Sequence, residues 1–353
     1  MCIVAQGSQP FRCGHCLAVL IYTPDRCQKM LPIILALSCQ YLLPIVANTA
    51  EPAPQVVLAG PTIPCVSFSN DGLKMAVGGA TENGAQLLVY DVVKWRLLRT
   101  ITPEGTSTKA VAFSADGRRL FAAVGRDVLV FEPSSGKELS RLKHHSDYVY
   151  TLAGSSDGKY LASGGEDGRV CLWDARTLKH IKELDRHTRS VHDLSLHPQS
   201  EQLVAGGAGG LFRLWKLMGG GTKQDIRWDE IDSLINVGLS PKGNMVAATT
   251  QLGDVVIADC GQLEKPPRHF RLGPNLGGLA WLDNERDLVL GINREATLFN
   301  AREGTITARF HKFDSLIRCA TCSPKRELLA IAAGNGTIKV WNCNDLSAQN
   351  RDE

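Results

Sequence analysis

The chain has 353 residues, 44% of them hydrophobic and 21% charged, which is ample apolar material for a core and ordinary charge for a soluble protein. That length holds either two average domains or one large all-β domain. The net charge is only +3, and Arg12, Arg26, Lys29 and Asp25 account for two of those charges within the first 50 residues, so the remainder lacks the electrostatic footprint of a nucleic-acid binder.

The first 29 residues carry Cys2, Cys13, Cys16 and Cys27. Cys13-Gly14-His15-Cys16 has the spacing of a redox-active disulfide, but the segment is too short for the strand–helix setting that lowers a thiol pKa. Haem attachment needs histidine directly after the second cysteine, and that residue is Leu17. A zinc knuckle lacks a fourth ligand at suitable spacing. Residues 30–50 contain no charge, follow Arg26 and Lys29, and end on the small residues Ala47 and Ala50. A basic flank, an apolar run and a small-residue exit make a secretory signal, with cleavage expected near 48–51. The run is also long enough for a retained membrane anchor, against which Pro32, Gln40 and Pro44 weigh. Met30 would be a more ordinary start for such a signal, so residues 1–29 read as a leader without function. An exported chain, periplasmic or membrane-anchored, is the expectation, and a cytoplasmic one is the alternative.

After residue 51 the sequence repeats. Gly72, Gly117, Gly158, Ser200, Gly243, Glu285 and Arg326 mark one turn in each unit, at intervals of 41 to 45 residues. Tyr90, Phe131, Trp173, Trp215, Ala258, Phe299 and Trp341 end a strand in each unit, at intervals of 41 to 43. Segments such as "YLASGG" (160–165), "MVAATT" (245–250) and "LLAIAA" (328–333) predict buried strands, whereas "RVCLWD" (169–174) and "TIKVWN" (337–342) predict strands alternating inward and outward. No stretch has convincing helical periodicity. Four short strands in about 42 residues make one blade of a β-propeller. "QVVLAG" (55–60) precedes the first unit as a spare strand, and "LSAQNRDE" (346–353) is a polar tail. The spare strand is expected to complete the seventh blade and close the ring.

Residues 143–174, with His145 ahead of "SSDGKYLASGGEDGRVCLWD", resemble a WD40 repeat. The resemblance covers 54–345 as seven repeats, the fifth and sixth degenerate, and is similar to that of exported bacterial WD-repeat proteins. It implies an all-β, seven-bladed propeller of four-stranded antiparallel blades, monomeric, with no cofactor or metal.

Ser163, His145 and Asp167 could be mistaken for a catalytic triad, which needs an exposed serine beside an oxyanion hole. Ser163 lies mid-strand instead. The resemblance makes His145, Ser163, Asp167 and Trp173 a structural tetrad: Asp167 accepts from His145, His145 bonds Ser163, and Ser163 accepts from the indole. The fourth unit keeps His187 and Trp215 but has Ala205 and Gly209 at the other places, and the seventh keeps His311 and Trp341 with Ile331 and Asn335.

The remaining motifs carry no chemistry. Cys319 and Cys322, three apart on a strand, face opposite sides and cannot share a metal. "MGGGT" (218–222) lacks the Gly-Lys-Ser/Thr of a phosphate loop. His192 and His197, five apart, also face opposite sides of their strand. The innermost strands "AVAFS", "NVGLS" and "GGLAW" are nearly free of acids, which argues against the alternative of a lactonase- or quinone-type propeller enzyme, while a small-ligand-binding propeller stays as the other alternative. Function is therefore expected on a loop face that binds a protein or peptide. Its candidate residues are Lys109, Asp147, Tyr148, Glu166, Arg189 and Phe313, together with a projecting loop at 78–86.

Overall fold

The computed structural model describes residues 54–184, 186–187, 189–197, 201–217, 223–227 and 233–348. The cysteine-rich leader and the apolar run at 30–50 lie outside the described residues, as does the glycine-rich loop at 218–222.

Residues 54–342 form seven four-stranded antiparallel sheets, each a blade built from consecutive strands, except for the last. In the third blade the strands are Val149–Gly154, Tyr160–Gly165, Val170–Asp174 and His180–Leu184. The first strand of every blade packs against the first strands of both neighbours, and strand Thr62–Phe68 meets Ile317–Cys322 to complete the circle. The seventh blade takes its fourth strand from the front of the chain. Val56–Ala59 runs antiparallel to Thr337–Asn342, pairing Val56 with Val340 and Leu58 with Ile338. Gln55 N–H donates to Val340 O at 2.7 Å and Gly60 N–H to Gly336 O at 2.8 Å, so the closing ladder is bonded at both ends.

The turn between first and second strands repeats because one set of hydrogen bonds specifies it. Ser69, Ser114 and Ser155 each accept, through the hydroxyl, the backbone N–H five residues on, at 2.9 Å. Ser69 and Ser114 also donate to Asp71 and Asp116 at 2.6 Å. Gly72, Gly117 and Gly158 then turn the chain with φ of 65° to 73°, a left-handed conformation that glycine adopts without steric cost. In the sixth blade Glu285 takes this conformation (φ 54°), and in the seventh it shifts one place to Glu327.

All seven third-strand markers are buried, from Phe299 at 0% to Ala258 at 7% exposure. The expected alternation of "RVCLWD" is not observed: Val170, Cys171, Leu172 and Trp173 are all buried. Each blade is sandwiched between two others, so both faces of its inner three strands are covered. Only fourth strands, such as His180–Leu184, are largely exposed. The first blade also departs from expectation. Residues 78–86 form no projecting loop; the ladder simply runs on until Thr81 pairs with Gly84, giving a long hairpin with a two-residue turn. Its tip is tied down where Ala85 N–H donates to Gly105 O at 2.8 Å. Beyond the last strand, Cys343–Ala348 is a short helix, absent from the sequence expectation. Asn342 caps it, its side-chain oxygen accepting the Asn344 N–H at 2.8 Å, and Leu346 is buried against the core below Trp341.

Candidate functional site

Strand register places the tetrad. Leu161 pairs with Trp173 and Ser163 with Cys171, so Ser163 and Trp173 lie on one face of the third blade. His145 comes from the loop ahead of that blade. Asp167 comes from the turn between its second and third strands, where Gly168 (φ 73°) packs against His187 O. Asp167 lies 3.0 Å from His145 Nδ1, His145 Nε2 lies 2.9 Å from Ser163 Oγ, and Trp173 Nε1–H donates to Ser163 Oγ at 2.9 Å. An ionised aspartate accepts only, so Nδ1 carries the proton and Nε2 takes the serine hydroxyl. Burial pushes the His145 imidazole below its ordinary value and Asp167 offsets this only in part, so the ring is neutral. Burial acts against the Asp167 carboxylate too, but hydrogen bonds from His145 and the Ser146 and Arg169 N–H groups hold it below the usual range. Ser163 is 0% exposed, so no substrate reaches it. The four residues form one buried hydrogen-bonded chain.

Other blades solve the same problem differently. In the fourth, Ala205 offers no hydroxyl, and the buried Trp215 Nε1–H has no acceptor among the described residues. In the seventh, Lys339 Nζ lies 2.6 Å from His311 Nε2, and aromatic rings pack around the pair. Phe313 stands perpendicular to His311 at 5.2 Å and is tilted against Trp341 at 6.1 Å, with the Lys339 ammonium 5.1 Å from its ring centre. Phe313 is only 3% exposed. Its expected place on a binding face is therefore corrected: it fills the wedge between His311 and Trp341.

The other expected face residues are exposed. Four are brought together. Glu166 N–H donates to Tyr148 O at 2.8 Å, Tyr148 N–H donates to Asp147 Oδ1 at 2.8 Å, and the Arg189 backbone packs on Gly168, two residues past Glu166. Tyr148 is 47% exposed, an unusual position for a large aromatic ring. Lys109 stands apart, at a bulge in the first strand of the second blade. The same bulge in other blades holds Tyr150, His192 and Arg318, which sequence spacing missed. The signal was one extra residue in each first strand relative to its partner. Tyr150 hydrogen-bonds Glu166, whose carboxylate together with burial pushes the phenol up to about 12. His192 Nδ1 lies 2.9 Å from Leu234 O of the next blade.

One acid does lie on an innermost strand. Asp193 accepts from the Thr151 hydroxyl at 3.1 Å and from the Leu194 and Val237 N–H groups at 2.9 Å, joining three successive blades. Burial nonetheless raises its carboxyl to about 6. All six cysteines from Cys65 onward are free thiols. Cys319 and Cys322 do face opposite sides: Cys319 packs with the first blade and Cys322 with the sixth, where it hydrogen-bonds Cys343 of the terminal helix. Among the described residues no helix is long and apolar enough to cross a membrane.

The sequence profile of the IFT122 first β-propeller matches residues 107–350. The chain belongs to this WD-repeat propeller family. It is 24% identical to the target of rapamycin complex subunit wat1 of Schizosaccharomyces pombe over 251 residues, 70% of this chain and 68% of that protein. It is also 24% identical to WD repeat-containing protein 55 of Arabidopsis thaliana over 252 residues, 70% of this chain and 71% of that one. With the intraflagellar transport protein 122 homolog of Danio rerio it shares 35% identity over 105 residues, 30% of this chain but 9% of the relative. These relatives support the propeller family and lend nothing to the narrower likeness to exported bacterial proteins.

Proposed function

We propose that this WD-repeat propeller is a non-enzymatic scaffold that holds a protein partner on the face carrying Asp147, Tyr148, Glu166 and Arg189. The supporting observation is the exposed Tyr148 ring, set on hydrogen-bonded turns among charges of both signs. An exposed aromatic anchor on a face that also carries an arginine is the composition of an interface hot spot. The name of the fission-yeast relative, a subunit of a complex, points the same way. A near-neutral body favours a protein or peptide over nucleic acid.

The test is native co-purification from the host with a C-terminally tagged chain, beside a Tyr148→Ala, Arg189→Glu variant. A stoichiometric partner lost in the variant supports the reading; a partner retained unchanged removes it. Export is part of the same proposal, carried by the uncharged run at 30–50. Intact mass of the protein from its host distinguishes a start near 48–51 from an uncleaved chain.

A further inference from the structure

The outer edge of the third blade gathers side chains that the brace does not use. Cys171 and Glu183 are directly opposed on neighbouring strands, as are Trp173 and His180, so all four share the face turned toward the second blade. His144 arrives on that face from the loop ahead of the blade. Its ring stacks on His180 with centroids 3.9 Å apart, and both rings meet the edge or face of Trp173. His144 Nε2 lies 3.3 Å from the Glu183 carboxylate. Ligand atoms of His144, Cys171 and His180 all fall within 4.8 Å of one another. Cys171 is 0% exposed and has no hydrogen-bond partner among the described residues.

We propose that His144, Cys171 and His180, completed by Glu183, bind a zinc-class divalent transition-metal ion. Two imidazoles, one thiolate and one carboxylate are the donor set of a tetrahedral borderline-soft ion. Bond lengths of about 2.0–2.3 Å place tetrahedral ligands about 3.3–3.6 Å apart, so the cluster must contract by about 1 Å. The exposed His180 ring can do this by turning about its side-chain torsions, which breaks the stack. The thiol proton leaves to solvent as the sulfur–metal bond forms. Binding therefore displaces a proton, and affinity rises with pH. Charge balances as well. The thiolate, Glu183 and Asp167 set three negative charges against the divalent ion and Arg169, which lies 3.6 Å from Glu183. Bound metal would staple the exposed fourth strand to the loop that carries the brace histidine.

The test is Co2+ titration of the full chain carrying Cys2→Ser, Cys13→Ser, Cys16→Ser, Cys27→Ser and Cys39→Ser, which removes the leader thiols. One equivalent should give a thiolate-to-cobalt charge-transfer band and the intense visible bands of tetrahedral coordination, both bleached by Zn2+. Cys171→Ser should abolish the charge-transfer band, and Cys260→Ser should leave it. His180→Ala, at an exposed position, should weaken binding about tenfold or more. No charge-transfer band with excess Co2+, or one that survives Cys171→Ser, would overturn the proposal. Where Cys171→Ser does not fold, unchanged affinity in His180→Ala overturns it instead.

Discussion

The brace reading is sharpest as a pair of opposite substitutions. Ser163→Ala deletes the oxygen that joins His145 Nε2 to the Trp173 indole, and both partners are nearly buried, at 6% and 3% exposure. Each orphaned buried group costs about 1–3 kcal/mol, so the variant should lose about 2–5 kcal/mol. With an unfolding entropy of roughly 2.1 cal/mol/K per residue over about 300 ordered residues, this lowers Tm by about 3–8 °C. The fourth blade already carries the deleted form. Ala205 stands to Trp215 as Ser163 does to Trp173, because Leu203 pairs with Trp215 just as Leu161 pairs with Trp173. Ala205→Ser gives the Trp215 N–H an acceptor and should stabilise by about 0.5–1.5 kcal/mol, raising Tm by about 1–2 °C. Scanning calorimetry on the two full-length variants reads both signs. A Ser163→Ala protein melting within about 1 °C of the parent would refute the brace, since the same loss per group sets that scale.

Three further outcomes follow from the same geometry. Asp193→Ala leaves the Val237 N–H and the Thr151 hydroxyl without the carboxylate they donate to and should cost about 2–4 kcal/mol in urea unfolding. Removing residues 54–60 opens the ring at the seventh blade; the lost ladder bonds, at about 0.5–1.5 kcal/mol each, should lower stability by several kcal/mol and expose Thr337–Asn342 to limited proteolysis, whereas unchanged protease resistance would contradict the closure. A free imidazole titrates near about 6.5, and burial holds folded His145 lower. Between those two values the unfolded chain binds more protons, so acidification through that window removes stability. Nitrogen NMR at the free-imidazole pKa should still show Nε2 of His145 unprotonated.

The features legible in the sequence were those with a fixed period. Turn glycines and third-strand aromatics recur because the first three blades reuse one serine–aspartate–glycine turn and all seven bury one third-strand position. The tetrad was legible through the resemblance of residues 143–174 to a WD40 repeat. Features that depend on what lies across a blade interface were not. The double burial of "RVCLWD" comes from neighbouring blades, which the strand's own alternation does not encode. Phe313 has the sequence offset of a face residue, yet it turns inward because the seventh blade lacks serine and aspartate at the brace positions. Asn342 ahead of Asn344 and Asp345 was a usable helix-start signal, but the helix is too short to show a period. His144 and His180 are far apart in sequence and meet only through strand register.

The decayed braces raise the question of what fastens the fourth strands, the most exposed part of each blade. An ion pair joins the start of the third strand to the fourth in four blades. Arg141 lies 3.6 Å from Asp127, Arg169 lies 3.6 Å from Glu183, Arg271 lies 3.0 Å from Asp254, and Arg309 lies 2.6 Å from Glu295. Exposed pairs of this kind contribute about 0–1 kcal/mol each, which suits a strand needing only local fastening. The fifth blade, with no Trp-Asp pair, depends on its pair most. Asp254 is 4% exposed and accepts from Arg271 and the Thr250 hydroxyl, with His269 Nε2 3.2 Å away, so removing Arg271 would leave a buried carboxylate to the imidazole and the hydroxyl alone. The outer strand there is held from the third strand rather than from the loop histidine. What every blade shares is the backbone ladder between third and fourth strands, which is indifferent to the loss of the signature side chains.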